Sequence, residues 1–220
     1  MRHTLPMLDT EFIPAAQADS QRLMVVLHGL GDSTAGFRWL PATLELPWMN
    51  YLLVNAPDSY YGGYSWYDFA GDMTAGVERS RAMLFELLDA QRAKGFPTDQ
   101  TVLFGFSQGC LMTIDVGLRY PHRFAALIGI SGYVCEPEQL VKELSPVARQ
   151  QRLLITHGFQ DPIVPFAVTR EQINILKSAG LHISWHEFDK GHTIAAETEL
   201  HLIREFIVAG YPPADPPAKS

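Results

Sequence analysis

Cysteine is scarce in this chain of 220 residues, with only Cys110 and Cys135 present. Two thiols cannot build a disulfide framework, and so low a count suits a reducing compartment. Positive charge is also short: 17 Lys and Arg stand against 24 Asp and Glu, a formal net charge of −7. A nucleic-acid or anionic-membrane partner would require a surplus of Lys and Arg on one face, so neither is expected. Apolar runs such as Leu23 to Leu27 fall far below the ~20 residues that span a bilayer, and stable membrane insertion is not expected. Residues 1–10 contain no apolar segment followed by a cleavage site, so the expectation is a cytoplasmic protein without a signal peptide. No repeat of 20–50 residues and no linker divides the chain. What remains is ordinary globular composition, 47% hydrophobic and 19% charged, which excludes a disordered or low-complexity scaffold.

What is present alternates. Short continuous apolar runs stand at Leu23–Leu27, Tyr51–Val54, Val102–Phe104, Ala126–Ile130 and Leu153–Ile155. Strands apolar on both faces belong to a parallel sheet covered by helices on both sides. Helical patterns fall between them. Asp72 is placed to cap a helix whose Val77, Leu84, Leu87 and Leu88 share a stripe, stopped near Gly95 and Pro97. A second helix is expected from Pro165 to just before Gly180, and a third from about Ala195 to Ala209 with Leu200, Ile203 and Ile207 inward. Residues 182–188 alternate as a strand with one wetter face. The order predicts a single α/β domain over 1–210, a mostly parallel sheet between two helical layers. Residues 211–220 hold four prolines and are expected to form a disordered tail.

One motif carries chemistry. Gly105-Phe106-Ser107-Gln108-Gly109 fits G-x-S-x-G, after the strand ending at Phe104 and before the helical stretch Leu111–Ile114. A serine on so sharp a turn sits in strained backbone with its hydroxyl exposed at the sheet edge, next to the N–H groups of a helix start. A hydroxyl needs a base to take its proton, and the base needs an orienting carboxylate. Asp161, just beyond the strand that starts at Leu153, and His192, in the loop after residues 182–188, both lie outside carboxyl ends of strands, where catalytic groups of such sheets gather. His122, His182, His186 and His201 lie in a turn, on a strand or in a helix, and His28 and His157 end strands where structural hydrogen bonds are the commoner role. His182 and His186 stand about 13 Å apart on a strand, and no other cluster has ligand spacing, so no metal and no cofactor is expected. An oxyanion needs two donors. The N–H of Gln108 is one, and the loop His28-Gly29-Leu30-Gly31-Asp32 offers Leu30 N–H as the other.

Residues 60–69 hold six of the 24 aromatics. Either they form an apolar wall for an acyl or aryl group, or the loop staples itself to the core. Cys110 reads as a small buried hydrophobe rather than as a reactive thiol at a helix N-terminus. About 20 residues separate Ile130 from Leu153, room for one helix around Pro137–Leu144 and for no lid, so an open, shallow cleft is expected.

Four blocks in register, His-Gly-Leu-Gly-Asp (28–32), Gly-Phe-Ser-Gln-Gly (105–109), His-Gly-Phe-Gln-Asp-Pro (157–162) with Pro165, and Gly-His (191–192), resemble the carboxylesterase/phospholipase family of α/β hydrolases, which includes acyl-protein thioesterases and lysophospholipases. The resemblance covers nearly all of residues 20–210. It implies Ser107 as nucleophile, Asp161 as acid, His192 as base, and Leu30 and Gln108 at the oxyanion positions. Trp66-Tyr67-Asp68 is similar to a family block that borders the binding cleft, which makes Tyr64, Trp66 and Tyr67 the candidate substrate wall. The chain departs from the family at Cys110, where a glycine is usual, and in the aromatic stretch Tyr60–Tyr64.

The expected activity is a serine carboxylesterase for carboxylic esters or thioesters of short to medium acyl chain, acting on a small-molecule ester or an acylated substrate as a monomer or homodimer. A lysophospholipase or acyl-protein thioesterase for long chains is the alternative, and a catalytically silent binding module on the same fold is a more distant one.

Overall fold

The computed structural model describes residues 7–211. The core of the fold is a sheet whose strands run β1 (Thr10–Ile13), β3 (Asn50–Val54), β2 (Leu23–Leu27), β6 (Thr101–Phe106), β7 (Ala126–Ile130), β8 (Leu153–Gly158) and β9 (Ile183–Phe188). Every pairing is parallel except that of β1 with β3. The order reverses between β2 and β6, and Ser107 follows β6 at that switch point.

The continuous apolar strands are buried on both faces because two separate cores flank them. Leu23, Val25, Leu103, Leu127 and Ile155 point to one side, against α2 (Met73–Ala93), α3 (Gln108–Arg119), α4 (Pro137–Lys142) and α5 (Phe166–Ser178). Met24, Val26, Phe104, Ile128 and Leu154 point to the other, against α1 (Leu40–Leu44) and α6 (Ala196–Val208). Asp72 caps α2 by accepting the Ala75 N–H at 3.1 Å, and Pro165 precedes the first turn of α5. Between β7 and β8 stand α4 and one helical turn, Ala148–Gln150.

Three strands have no counterpart in the sequence reading. β1 is an antiparallel edge strand of four residues. β4 (Asp58–Tyr60) and β5 (Gly63–Ser65) form a hairpin, closed by Tyr61 and Gly62 at φ 42° and 90°. Strands of three or four residues carry too little periodicity to be read. The tail also begins later than expected. Tyr211 is buried, its ring edge-on to Trp48 at 5.1 Å and its hydroxyl bonded to Gln100 O at 3.1 Å. An aromatic ring outweighs the prolines that follow it, and residues 212–220 lie outside the described residues.

Candidate active site

Ser107 sits between the last residue of β6 and the first of α3, at φ 55° and ψ −115°. A non-glycine residue held there costs on the order of 1–3 kcal/mol. Packing enforces the turn. A Cβ on Gly105 would collide with the Gly109 carbonyl, and one on Gly109 would collide with the Leu27 carbonyl. The Ser107 N–H donates to Ile130 O at 2.9 Å, and its carbonyl accepts from Cys110 N–H at 3.0 Å.

His192 and Asp161 arrive from the neighbouring strand ends. His192 Nε2 lies 2.9 Å from Ser107 Oγ, and Nδ1 lies 2.8 Å from Asp161 Oδ2. Because a carboxylate only accepts, Nδ1 carries the hydrogen and Nε2 offers its lone pair to the serine hydroxyl. Asp161 Oδ1 accepts the N–H groups of Ile163 and Val164, both at 2.9 Å. Burial by itself would raise this carboxyl, but those two N–H groups and His192 outweigh it and hold it below the usual carboxylate range.

The loop that carries His192 is tied at both ends by one buried carboxylate. Glu199 Oε1 binds Lys190 Nζ at 2.5 Å, and Oε2 accepts the Ala195 N–H at 2.6 Å. Phe106 packs on the His192 ring, with centroids 5.0 Å apart. Sequence reasoning missed Lys190 and Glu199, since a pair nine residues apart across a loop has no local pattern.

The two histidines that end strands, His28 and His157, have other partners. His28 is buried, with Nε2 accepting the Ala56 N–H at 3.1 Å, and His157 Nε2 donates to Val164 O at 3.0 Å. Desolvation pushes both imidazoles below their ordinary value. Cys110 is fully buried and its thiol is pushed up to about 12, which makes it an inert hydrophobe at this pH range.

The two expected oxyanion donors belong to segments braced by a third. Leu30 and Gln108 both line the same cleft as Ser107. The Gln108 side chain accepts the Trp66 N–H at 3.0 Å and donates to Tyr67 O at 3.1 Å. On the other donor's segment, Gly31 N–H donates to Tyr64 O and Tyr64 N–H to Asp32 O, both at 2.9 Å. Trp66 Nε1 adds a bond to His28 O at 2.9 Å. Residues 64–67 therefore hold Leu30 and Gln108 in register with each other.

This corrects the expected substrate wall. Trp66 and Tyr67 are 0% exposed, and Tyr67 spends its hydroxyl on Tyr133 at 2.8 Å. Tyr64 is half-buried beside His28 and does not line the cleft. The loop staples itself to the core, because its polar atoms find partners there while its rings fill space against the sheet. Only Phe69 of that aromatic stretch faces the cleft.

The wall is built elsewhere, from Leu30, Phe69, Tyr133, Ile163, Val164 and Val168 around a cleft of about 560 Å³. Ile163 and Val164 were legible as apolar residues two and three places after Asp161, in a loop at a strand's carboxyl end. Tyr133 carried no such signal.

The Phospholipase/Carboxylesterase family model matches residues 8–210. Acyl-protein thioesterase 1 of Schizosaccharomyces pombe is 35% identical over 159 residues, 64% of this chain and 69% of that protein. Acyl-protein thioesterase 1 of Yarrowia lipolytica is 27% identical over 198 residues, 80% of this chain and 86% of its own length. Among solved structures, esterase PE8 superposes with a TM-score of 0.81 at 29% identity, covering 94% of this chain and all of that one, 100%. Acyl-protein thioesterase 2 of Zea mays shares the fold, with a TM-score of 0.77 at 24% identity over 92% of this chain and 98% of that one. No described helix is long and apolar enough to cross a membrane. The chain belongs to the phospholipase/carboxylesterase family of α/β hydrolases and is a serine hydrolase of carboxylic esters.

Proposed function

We propose that Ser107, His192 and Asp161 form the catalytic triad of an esterase that takes ester or thioester substrates of short to medium acyl chain into the apolar cleft. Ser107 Oγ attacks the carbonyl carbon while His192 Nε2 takes its proton. The carbonyl π electrons move onto oxygen, which the Leu30 and Gln108 N–H groups receive. On collapse the bond to the alcohol or thiol breaks, and His192 passes its proton to the departing atom. Water repeats the sequence on the acyl-enzyme and releases the acid. Asp161 holds the imidazole tautomer and stabilises the imidazolium without being protonated.

The observation that carries this reading is the unbroken hydrogen-bond chain from Ser107 Oγ through both nitrogens of His192 to Asp161 Oδ2, at 2.9 and 2.8 Å. The names of the two fungal relatives support a thioester as well as an ester. A cleft of about 560 Å³ lies in the range of about 300–1,000 Å³ that holds drug-sized ligands, more than an acetyl group fills. A fluorophosphonate probe tests the nucleophile: wild type labels at one site and Ser107→Ala does not. Labelling of the variant, or none of the folded wild type, would overturn the assignment. A p-nitrophenyl ester series then reads the acyl length, with the kcat/KM maximum expected at medium chains and a maximum at the longest chain favouring the long-chain alternative.

A further inference from the structure

Two clefts meet at His192. Besides the apolar one, a second of about 520 Å³ is lined by Asp32, Phe37, Trp39, Thr43, Thr193 and Ile194, and shares only Asp32, Phe106 and His192 with the first. Acyl transfer has two substituents to place. With the carbonyl oxygen against Leu30 and Gln108 N–H, the acyl group has the apolar cleft, which Ser107 and Gln108 also line. The departing atom has to lie within reach of His192 Nε2, which gives it the proton. The second cleft borders that ring and the two residues after it, and neither Ser107 nor Gln108 reaches it.

The chemistry of this cleft is one-sided. Its lining contains no Lys or Arg, and its only acid is Asp32. Asp32 Oδ1 accepts the Ser33 N–H at 2.7 Å, and among the described residues no basic side chain pairs with the carboxylate. Trp39 is 38% exposed and is held in place by its Nε1–H bond to Gly36 O at 2.7 Å. A carboxylate and a fixed indole in one cleft are complementary to an organic cation, which gains both from charge and from the ring's quadrupole. The net charge of −7 acts in the same direction. Arg38, which stands between Phe37 and Trp39, turns its guanidinium to Glu11, with Nε 2.8 Å from Oε1; beyond Thr43 and Leu200 a smaller depression carries Glu197, His201 and Arg204.

We propose that this second cleft is the leaving-group site and that it selects alcohols or thiols bearing an ammonium group over those bearing a carboxylate or phosphate. The proposal rests on the triad reading above. The test uses three butyryl thioesters that differ only in the thiol: thiocholine (cationic), 2-mercaptoethanol (neutral) and 3-mercaptopropionate (anionic). Thiol release is followed colorimetrically, and each kcat/KM is divided by that ester's rate of hydrolysis by hydroxide, which removes intrinsic leaving-group reactivity. The expected order is cation, neutral, anion, with the cationic ester about tenfold above the neutral one. Asp32→Asn and Trp39→Leu should each lower that cation-to-neutral ratio at least threefold, and added salt should lower it in wild type. Equal rates, a preference for the anion, or a cation preference that both variants retain would overturn the proposal. Hydrolysis of p-nitrophenyl butyrate that survives Ser107→Ala would instead overturn the triad reading, so the two failures are distinguishable.

Discussion

Two imidazoles face one carboxylate. His192 Nδ1 lies 2.8 Å from Asp161 Oδ2, and His157 Nε2 lies 3.6 Å from the same oxygen, from the adjoining strand. The first also reaches Ser107 and keeps 17% of its side chain exposed, while the second is wholly buried. His157 gives its single N–H to Val164 O, and its Nδ1 has no partner among the described residues. It therefore packs as a neutral ring, stacked on Trp185 at 5.9 Å, and props up the loop that holds Asp161. Proximity to the acid does not make a base: an imidazole that must gain and lose a proton needs one nitrogen facing the reacting hydroxyl and enough solvent to carry charge.

The contrast can be broken most directly by substituting each ring. His192→Gln should lower kcat by about 10⁴–10⁶, in line with loss of a triad base. His157→Phe should keep activity within about tenfold and instead destabilise the fold by about 1–2 kcal/mol, because Val164 O loses its donor. Equal losses of kcat in the two variants, measured on p-nitrophenyl butyrate, would erase the distinction. Asp161→Asn tests the shared partner and should lower kcat by about 10⁴, since the amide stabilises the wrong tautomer of His192.

A smaller effect is expected at the brace. Gln108→Ala keeps the backbone N–H but frees it from residues 65–67, so kcat should fall about tenfold with KM nearly unchanged, a fraction of the ~10²–10³ that follows loss of an oxyanion donor outright. A change confined to KM would show that the side chain serves ground-state binding only.

The smallest effect concerns pH. Burial holds the folded-state pKa of His157 and His28 below the unfolded value of about 6.5. Below that pH the unfolded chain takes up protons that the folded chain does not, so stability is full above about pH 6.5 and falls as pH drops toward the folded-state values. Urea midpoints should decline between pH 7 and pH 5, and decline less in His157→Phe. A decline that the variant leaves unchanged would remove His157 from this linkage.

Much of the site was legible beforehand, and for a local reason. The elbow at Ser107 is written as two glycines around a serine between an apolar strand and a helix. Asp161 and His192 follow strands whose ends face the same edge. The fold class followed from apolar runs buried on both faces. The wall of the cleft had no such signature: Phe69, Tyr133, Ile163 and Val168 come from four separate segments, and each is apolar in a way that a core residue would also be. Trp66 and Tyr67 read as wall and are core instead, because whether a ring faces solvent or sheet depends on what folds over it.

The chain's order of residues was enough to mark the buried parallel strands, the turn that strains Ser107 and Asp161 and His192 as its partners, since turns and periodicity are set by neighbours in sequence. Tertiary structure alone decided which rings line the cleft, that Trp66 and Tyr67 are core, and that Glu199 ties down the loop of His192. Those are contacts between segments far apart in the chain, governed by burial and by which polar atoms find partners, and neither is encoded at any single position.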